Sequence, residues 1–226
     1  LNRKMDSAAL LLSLKLAGAT ALLLVPLALM LVRALSRRPL AARGLVDILV
    51  ALPLVLPPTV LGFYLLTVFG GQSTLGQWYA ALTGRQLVFT FDGLLLASLI
   101  ANIPFAVQPI QRAFAAIPRE ACEAAWCSGL SNWQTLLRIE LPLAWPGILA
   151  ALVLTFTHTL GEFGVVLMVG GNIADETRTI SIAIYDSVQA FDDRAAHAMS
   201  AILVLLSVAG IALIHWATQH IGRKDA

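Results

Sequence analysis

Glu123-Ala124-Ala125-Trp126-Cys127-Ser128-Gly129, followed by Ile139-Glu140-Leu141-Pro142, is a helix-forming and water-compatible segment. It is set between apolar runs too long and too poor in charge for a soluble domain. The chain has 226 residues, of which 58% are hydrophobic and 12% charged, and its mean hydropathy is +0.82. Soluble domains carry about 25% charged residues, so this chain lacks the polar surface to stay in water. A membrane protein that keeps one such segment in water offers it to a soluble partner.

Outward from that segment, five runs approach the twenty residues that span a bilayer. They are Ala8 to Val32, Leu45 to Phe69, Gly93 to Ile110, Leu143 to Val169 and Ala195 to Trp216. Lipid offers no partner to a backbone N–H or C=O, so each is expected to be a helix. The expected fold class is an all-α integral membrane protein of about five spans, one domain over residues 1–226. The connections are Arg33 to Gly44, Gly70 to Asp92, Gln111 to Pro142 and Gly170 to Arg194. The run after Leu1 to Ser7 is too long for a signal-peptide core and no cleavage pattern stands out, so the first span is expected to be retained. Neither an internal repeat nor a low-complexity tract is present.

Placement of the cations sets the orientation. Arg33, Arg37, Arg38, Arg43, Arg112, Arg119, Arg138, Arg223 and Lys224 would share one side, leaving Arg3, Lys4, Arg85, Arg178 and Arg194 on the other. Cytoplasmic loops carry the excess of Lys and Arg, which puts the N-terminus outside and both the C-terminus and loop 111–142 in the cytoplasm. Arg3 and Lys4 count against that scheme. The amphipathic stretch Thr179 to Ala190 can dip into the membrane as a half-helix. A six-span arrangement with both ends inside is the alternative, but it misplaces the Arg33–Arg43 cluster.

Within loop 111–142, Pro118 suits a first helical turn. Glu120 and Glu123 complement the dipole at that end. Ala121, Ala124 and Ala125 favour helix, and Gly129 stops it. About eleven residues would make a rod roughly 17 Å long. Leu130 to Ile139 reads as a second helical piece feeding the fourth span. On periodicity alone, a plain interfacial helix competes with a docking helix. Cys122 and Cys127 have no ligand-like neighbours and read as reduced helix packers.

The whole pattern, Glu123-Ala124-Ala125, Gly129, Ile139 and Leu141-Pro142 at ungapped spacing, resembles the EAA signature of ABC-importer permeases. That resemblance implies an importer-permease fold in which this loop is a coupling helix seated on a cytosolic ATPase, with Glu120, Glu123, Ala124, Ala125, Gly129, Ile139, Leu141 and Pro142 as the contact set. Leu52-Pro53-Leu54-Val55-Leu56-Pro57-Pro58, Leu160-Gly161-Glu162-Phe163-Gly164, Asn172-Ile173 and Glu176-Thr177-Arg178-Thr179-Ile180-Ser181 narrow the resemblance to bacterial molybdate permeases, with sulfate permeases as close relatives. It implies a homodimer, two ATPase subunits and a periplasmic or lipid-anchored molybdate-binding protein, in a bacterial or archaeal inner membrane. No cofactor is expected in this chain, because ATP and Mg would be held by the partner subunit.

The residues are compatible with a conduit. Pro53, Pro57 and Pro58 interrupt the second span, and Pro104 and Pro109 the third; broken helices are tolerated where they line a cavity or pack inside protein. Thr155, His158 or Thr159, and Glu162 share one face of the fourth span. An ionisable residue at this depth makes Glu162 a pathway candidate, but a carboxylate repels an oxyanion, so it reads better as a structural partner of backbone amides or an arginine. Thr155, Thr157 and Thr159 offer hydroxyls, though threonines also bond to their own helix; Asn102 is the remaining pathway candidate. Lys15 is expected to snorkel to the outer interface. Trp78, Tyr79, Trp145 and Trp216 read as interfacial belt residues. Asp175, Glu176, Asp192 and Asp193 face outward as binding-protein contacts or solvated groups. No P-loop, metal cluster, catalytic group set or nucleic-acid-binding pattern is present, so an enzyme is not expected. The competing classes are an ion-coupled secondary transporter, which would want paired repeats, and an intramembrane hydrolase.

Overall fold

The computed structural model describes residues 6–36 and 40–221, which form helices and turns with no strand among them. Arg3, Lys4, Arg37, Arg38, Arg223 and Lys224, used above for orientation, lie outside the described residues. The long helices are α1 (Ser7–Ser36), α5 (Phe91–Ala115), α8 (Leu141–Gly161) and α11 (Asp193–Ile221). At 1.5 Å per residue the 25 residues of α5 reach about 37 Å, enough for a bilayer core of about 30 Å. Four described helices are long and apolar enough to cross, and a bent pair makes a fifth. The five-span expectation agrees with that count.

Three helices, α1, α5 and α8, pack on one another as the centre of the molecule. Between helices in lipid there is no hydrophobic driving force, so close van der Waals packing of small residues does the work. The α5–α8 seam has that character: Ala106 of α5 and Ala151 of α8 share one buried cluster, and Ala144 of α8 is fully buried. At Gly147 a Cβ would lie 2.3 Å from the Ala113 Cβ and 2.7 Å from the Pro109 carbonyl oxygen. α11 lies outside against α8, and its apolar window is only 6% buried.

Two expected spans are broken. The second divides into α2 (Leu40–Val55) and α3 (Pro58–Phe69), which meet at 108°. Pro57 and Pro58 have no N–H to continue the ladder, and each disfavours helical backbone in the residue before it. The fourth does not begin at Leu143 and run to Val169. It starts as α7 (Asn132–Thr135), passes through a π-helical turn (Leu136–Glu140) into α8, and stops after Gly161. After Glu162 and Phe163, a short α9 (Gly164–Gly170) follows and packs on α3. In the third span, by contrast, Pro104 and Pro109 leave α5 unbroken.

The loops are more helical than their composition implies. Gly70 to Asp92 holds α4 (Thr74–Thr83), capped by the Ser73 hydroxyl and ended at Gly84. Tyr79 is half-buried and donates to Asp92 Oδ2 at 2.6 Å, tying α4 to the start of α5 rather than facing a belt; that bond to the carboxylate, with partial desolvation, raises the phenol's pKa. The half-helix of the fourth connection is α10 (Ile180–Gln189), its first amide held by Ser13 Oγ of α1 at 2.8 Å. The Lys15 ammonium lies 4.4 Å above the Phe91 ring at the start of α5. Asp192 caps α11 by accepting from Ala195 N.

Candidate functional site

Two places in the fold deserve chemical description, one where the helix breaks adjoin and one at the far ends of α1, α5 and α8.

At the first, the breaks of the second and fourth spans face each other. A Cβ on Gly164 would lie 2.8 Å from the Pro58 Cβ, and one on Gly62 would lie 2.9 Å from the Met168 Cβ. Only glycine allows these backbones so close. The two breaks enclose a cavity of about 110 Å³, lined by Pro53, Leu56 and Pro58 on one wall and by Phe105, His158 and Glu162 on another. Backbone groups freed at the second break find new partners: Ser181 Oγ of α10 donates to the Glu162 carbonyl at 2.7 Å. Glu162 Oε1 lies 3.5 Å from Val165 N, and its other oxygen 3.6 Å from His158 Nδ1. Glu162 thus joins a backbone amide and a histidine, and no arginine pairs with it among the described residues.

Asn102 on α5 is fully buried and donates from Nδ2 to its own helix at Ser98 O, 2.8 Å away. Its Oδ1 therefore faces His158 Nδ1 at 3.1 Å, and the His158 ring stacks on Phe105 with centroids 3.9 Å apart. Of the expected pathway residues, the structure brings Asn102 and Glu162 together around His158. Thr157 faces α11, where its Cγ2 would touch a Cβ at Gly210, and its hydroxyl donates to Val153 O. Thr159 is buried and donates to Thr155 O; Thr155 is buried with its hydroxyl unpartnered. The sequence places His158 on the same face four residues before Glu162, and the contact with Asn102 is what singles it out from Thr159.

At the second place, α6 (Arg119–Cys127) begins after Pro118 and covers nine residues, shorter than expected. Leu130 N bonds Ala125 O and Gly129 N bonds Trp126 O, a Schellman closure that needs left-handed backbone at Gly129, where φ is +81°. Ser131 then caps α7 in a reciprocal box with Gln134. Ala125 is buried against α7 and the π-turn, whereas Glu120, Glu123, Ala124, Trp126 and Cys127 are exposed. Cys122 and Cys127 are free thiols, and the exposure of Cys127 departs from the packing role expected for it. Ile139 lies in the π-turn; Leu141 and Pro142 open α8. A cleft of about 840 Å³ separates α6 from the ends of α1 and α5, with Glu123 and Trp126 on one wall and Val32 and Arg112 opposite.

One link ties these parts together that no local pattern announces. Arg33 at the end of α1 donates to Glu140 Oε2 in the π-turn and to Asn132 O at the start of α7. Both side chains are mostly buried, at 13% and 16% exposed. At the opposite end of the molecule, Arg178 pairs with Asp186 at 2.6 Å and with Asp6 at 3.7 Å, tying the 170–194 connection to the start of α1.

Comparison with known proteins adds the family context. The profile described as "Binding-protein-dependent transport system inner membrane component" matches residues 15–224. The molybdenum transport system permease protein of Azotobacter vinelandii is 46% identical over 206 residues, covering 89% of each chain. A probable sulfate transport system permease protein of Chlorella vulgaris is 34% identical over 80% of this chain and 68% of its own. Among solved structures, a bacterial ABC transporter involved in import of the acidic polysaccharide alginate aligns with a TM-score of 0.72 at 20% identity, covering 96% of this chain and 79% of that one.

Proposed function

The chain belongs to the family of binding-protein-dependent transport system inner membrane components, and from that premise we propose that it is the permease subunit of an ATP-driven importer of molybdate or tungstate. The observation that carries the reading is α6, a polar helix exposed on one side and joined through the π-turn to a membrane-crossing helix. In this reading α6 is the coupling helix, with Glu120, Glu123, Ala124 and Gly129 meeting the ATPase, the buried Ala125 seating α6 on the turn behind it rather than touching the partner, and Ile139, Leu141 and Pro142 carrying its motion into α8. The cation bias puts α6 in the cytoplasm and the N-terminus outside.

Two copies around a two-fold axis form the path and present two coupling helices to two ATPase subunits. A periplasmic or lipid-anchored binding protein delivers the oxyanion. ATP closure draws the coupling helices together and opens the path outward; hydrolysis resets it. ATP and Mg belong to the partner subunit, so this chain is a conduit rather than an enzyme. The identity to a molybdenum permease supports the cargo, and the sulfate relative defines the alternative.

Uptake of radiolabelled molybdate by cells carrying the full transporter tests the cargo. Excess tungstate is expected to compete and excess sulfate to have no effect. Strong competition by sulfate moves the chain to the sister group, and failure to co-purify with an ATPase subunit overturns the importer reading itself.

Substitution at α6 tests the coupling role. Glu123→Ala removes an exposed carboxylate and leaves the buried face intact. Gly129→Ala meets no atom within 4 Å and so carries only the left-handed backbone cost of about 1–2 kcal/mol. Both variants are expected to insert at normal levels while uptake and transport-coupled ATP hydrolysis fall severalfold. Wild-type uptake in both would exclude docking through α6.

A further inference from the structure

We infer that His158 is the cargo-contacting group of the membrane path, presenting an imidazolium Nε2–H to a tetrahedral oxyanion in the cavity where the two helix breaks meet. The inference rests on the reading of the protein as an oxyanion importer and goes beyond it, by assigning the contact to one atom.

The orientation of the ring follows from its neighbours. Because Asn102 Nδ2 donates to Ser98 O, only Asn102 Oδ1 is left to meet His158 Nδ1, and that nitrogen must carry a proton. Phe105 stacked on the ring face holds it from turning. A neutral ring locked this way shows a lone pair at Nε2, which repels an anion; a protonated ring shows a donor there. The ring therefore accepts the cargo in one protonation state and rejects it in the other.

Glu162 fits the same scheme. A carboxylate alone in this wall would oppose an oxyanion, yet its Oε2 stands 3.6 Å from His158 Nδ1. It balances the imidazolium charge while Nε2 is left for the cargo. The other groups facing the ring or the cavity are uncharged: Asn102, Ala101 and Phe105 from α5, Pro53 and Leu54 from α2, Pro58 and Leu61 from α3, and Val165 from α9. His158 and Glu162 are its only titratable lining residues among those described. The proline-rich wall supplies no donor, since Pro53 and Pro58 have no N–H. Selectivity for a compact anion then comes from one charged donor in a small chamber.

The test uses the complete transporter with its binding protein and ATPase. Removing a charged hydrogen bond costs about 1.5–3 kcal/mol, so His158→Gln is expected to lower molybdate uptake by about tenfold or more at the acid end of the pH range in which the transporter works. His158→Arg carries a permanent cation, and its uptake relative to wild type is expected to rise with pH, because only the wild-type imidazole loses its proton on the way up. Uptake by His158→Gln equal to wild type, or a His158→Arg ratio that is flat with pH, overturns the inference.

A measurement on the unmodified protein covers variants that do not assemble. Diethylpyrocarbonate labels unprotonated, accessible imidazole nitrogens, and peptide mass spectrometry separates His158 from His215 on α11. Sodium molybdate at about ten times its half-saturating level is expected to lower His158 labelling by about tenfold and leave His215 unchanged; undiminished His158 labelling overturns the assignment. Wild-type protein that takes up no molybdate at all would instead overturn the importer reading, which keeps the two failures apart.

Discussion

Gly147→Val is expected to abolish accumulation of folded protein, and Gly147→Ala to lower it severalfold. α8 crosses α5 here with no room for a side chain: the added carbon would lie 2.3 Å from the Ala113 Cβ and 2.7 Å from the Pro109 carbonyl oxygen. The carbonyl is backbone and cannot swing aside. Beyond it α5 is anchored by Val107 and Ile110, both essentially without exposure, in the cluster that also holds Val25, Ala28 and Val32 of α1. Relief therefore means moving α8 bodily off the central three-helix seam.

Overpacking of this kind costs about 1–3 kcal/mol for one methylene, and a branched side chain adds to it. Each 1.4 kcal/mol is a factor of about ten in folded to unfolded protein. Gly18 on α1 provides the control, since nothing lies within 4 Å of a Cβ there. Gly18→Ala is expected to be neutral or mildly stabilising, by about 0.5–1 kcal/mol, because alanine loses less backbone freedom in a helix. Fluorescence-detected gel filtration of tagged variants reads the folded fraction. A paired Ala113→Gly change, which removes the nearer contact, is expected to recover part of Gly147→Ala. Wild-type yield of Gly147→Val would show that the seam is looser than its geometry.

The legibility of this fold in its sequence was uneven for physical reasons. Length and hydropathy located every crossing segment, because lipid imposes one backbone solution on an apolar run. Gly129 announced its turn correctly, since left-handed backbone after a helix is a local requirement that one residue satisfies. The breaks were harder. Pro53, Pro57 and Pro58 signalled a weakened second span, but the same local signal at Pro104 and Pro109 left α5 continuous, so proline content alone does not say which helix yields. The 108° turn depends on what α3 finds to pack against, namely α9.

The fourth span gave less warning still. Leu143 to Val169 reads as one apolar run interrupted by a single carboxylate. Its division at Glu162 depends on Ser181 donating to the freed Glu162 carbonyl, on the Glu162 carboxylate accepting from the freed Val165 amide, and on Gly164 fitting against Pro58. The candidate site inherits this: Glu162 and Asn102 were visible as costly polar residues in apolar runs, whereas the tautomer and orientation of His158 come from a helix 56 residues away.

The Arg33–Glu140 pair lies beyond sequence reading for the same reason, at a separation of 107 residues, and it gives the second large effect. Breaking a buried pair by removing one member leaves an uncompensated charge and costs about 3–5 kcal/mol, whereas replacing both members can be nearly neutral. Arg33→Met and Glu140→Gln are therefore each expected to lower the thermal midpoint of the purified complex. The double variant is expected to be milder than the sum of the two, with an interaction energy of about 1–3 kcal/mol. Arg33 also donates to Asn132 O, so its loss costs more than that of Glu140. Transport should behave differently from stability. The pair joins the end of α1 to a π-turn, an irregular stretch of the kind often found at functional hinges, and that turn joins α6 to α8. With both charges gone, α1 has lost this charged link to the turn. Molybdate moved per ATP hydrolysed is expected to stay low in the double variant even though its stability largely returns. Strictly additive losses would remove the energetic pairing, and normal coupling in a stable double variant would reduce the pair to a structural clamp.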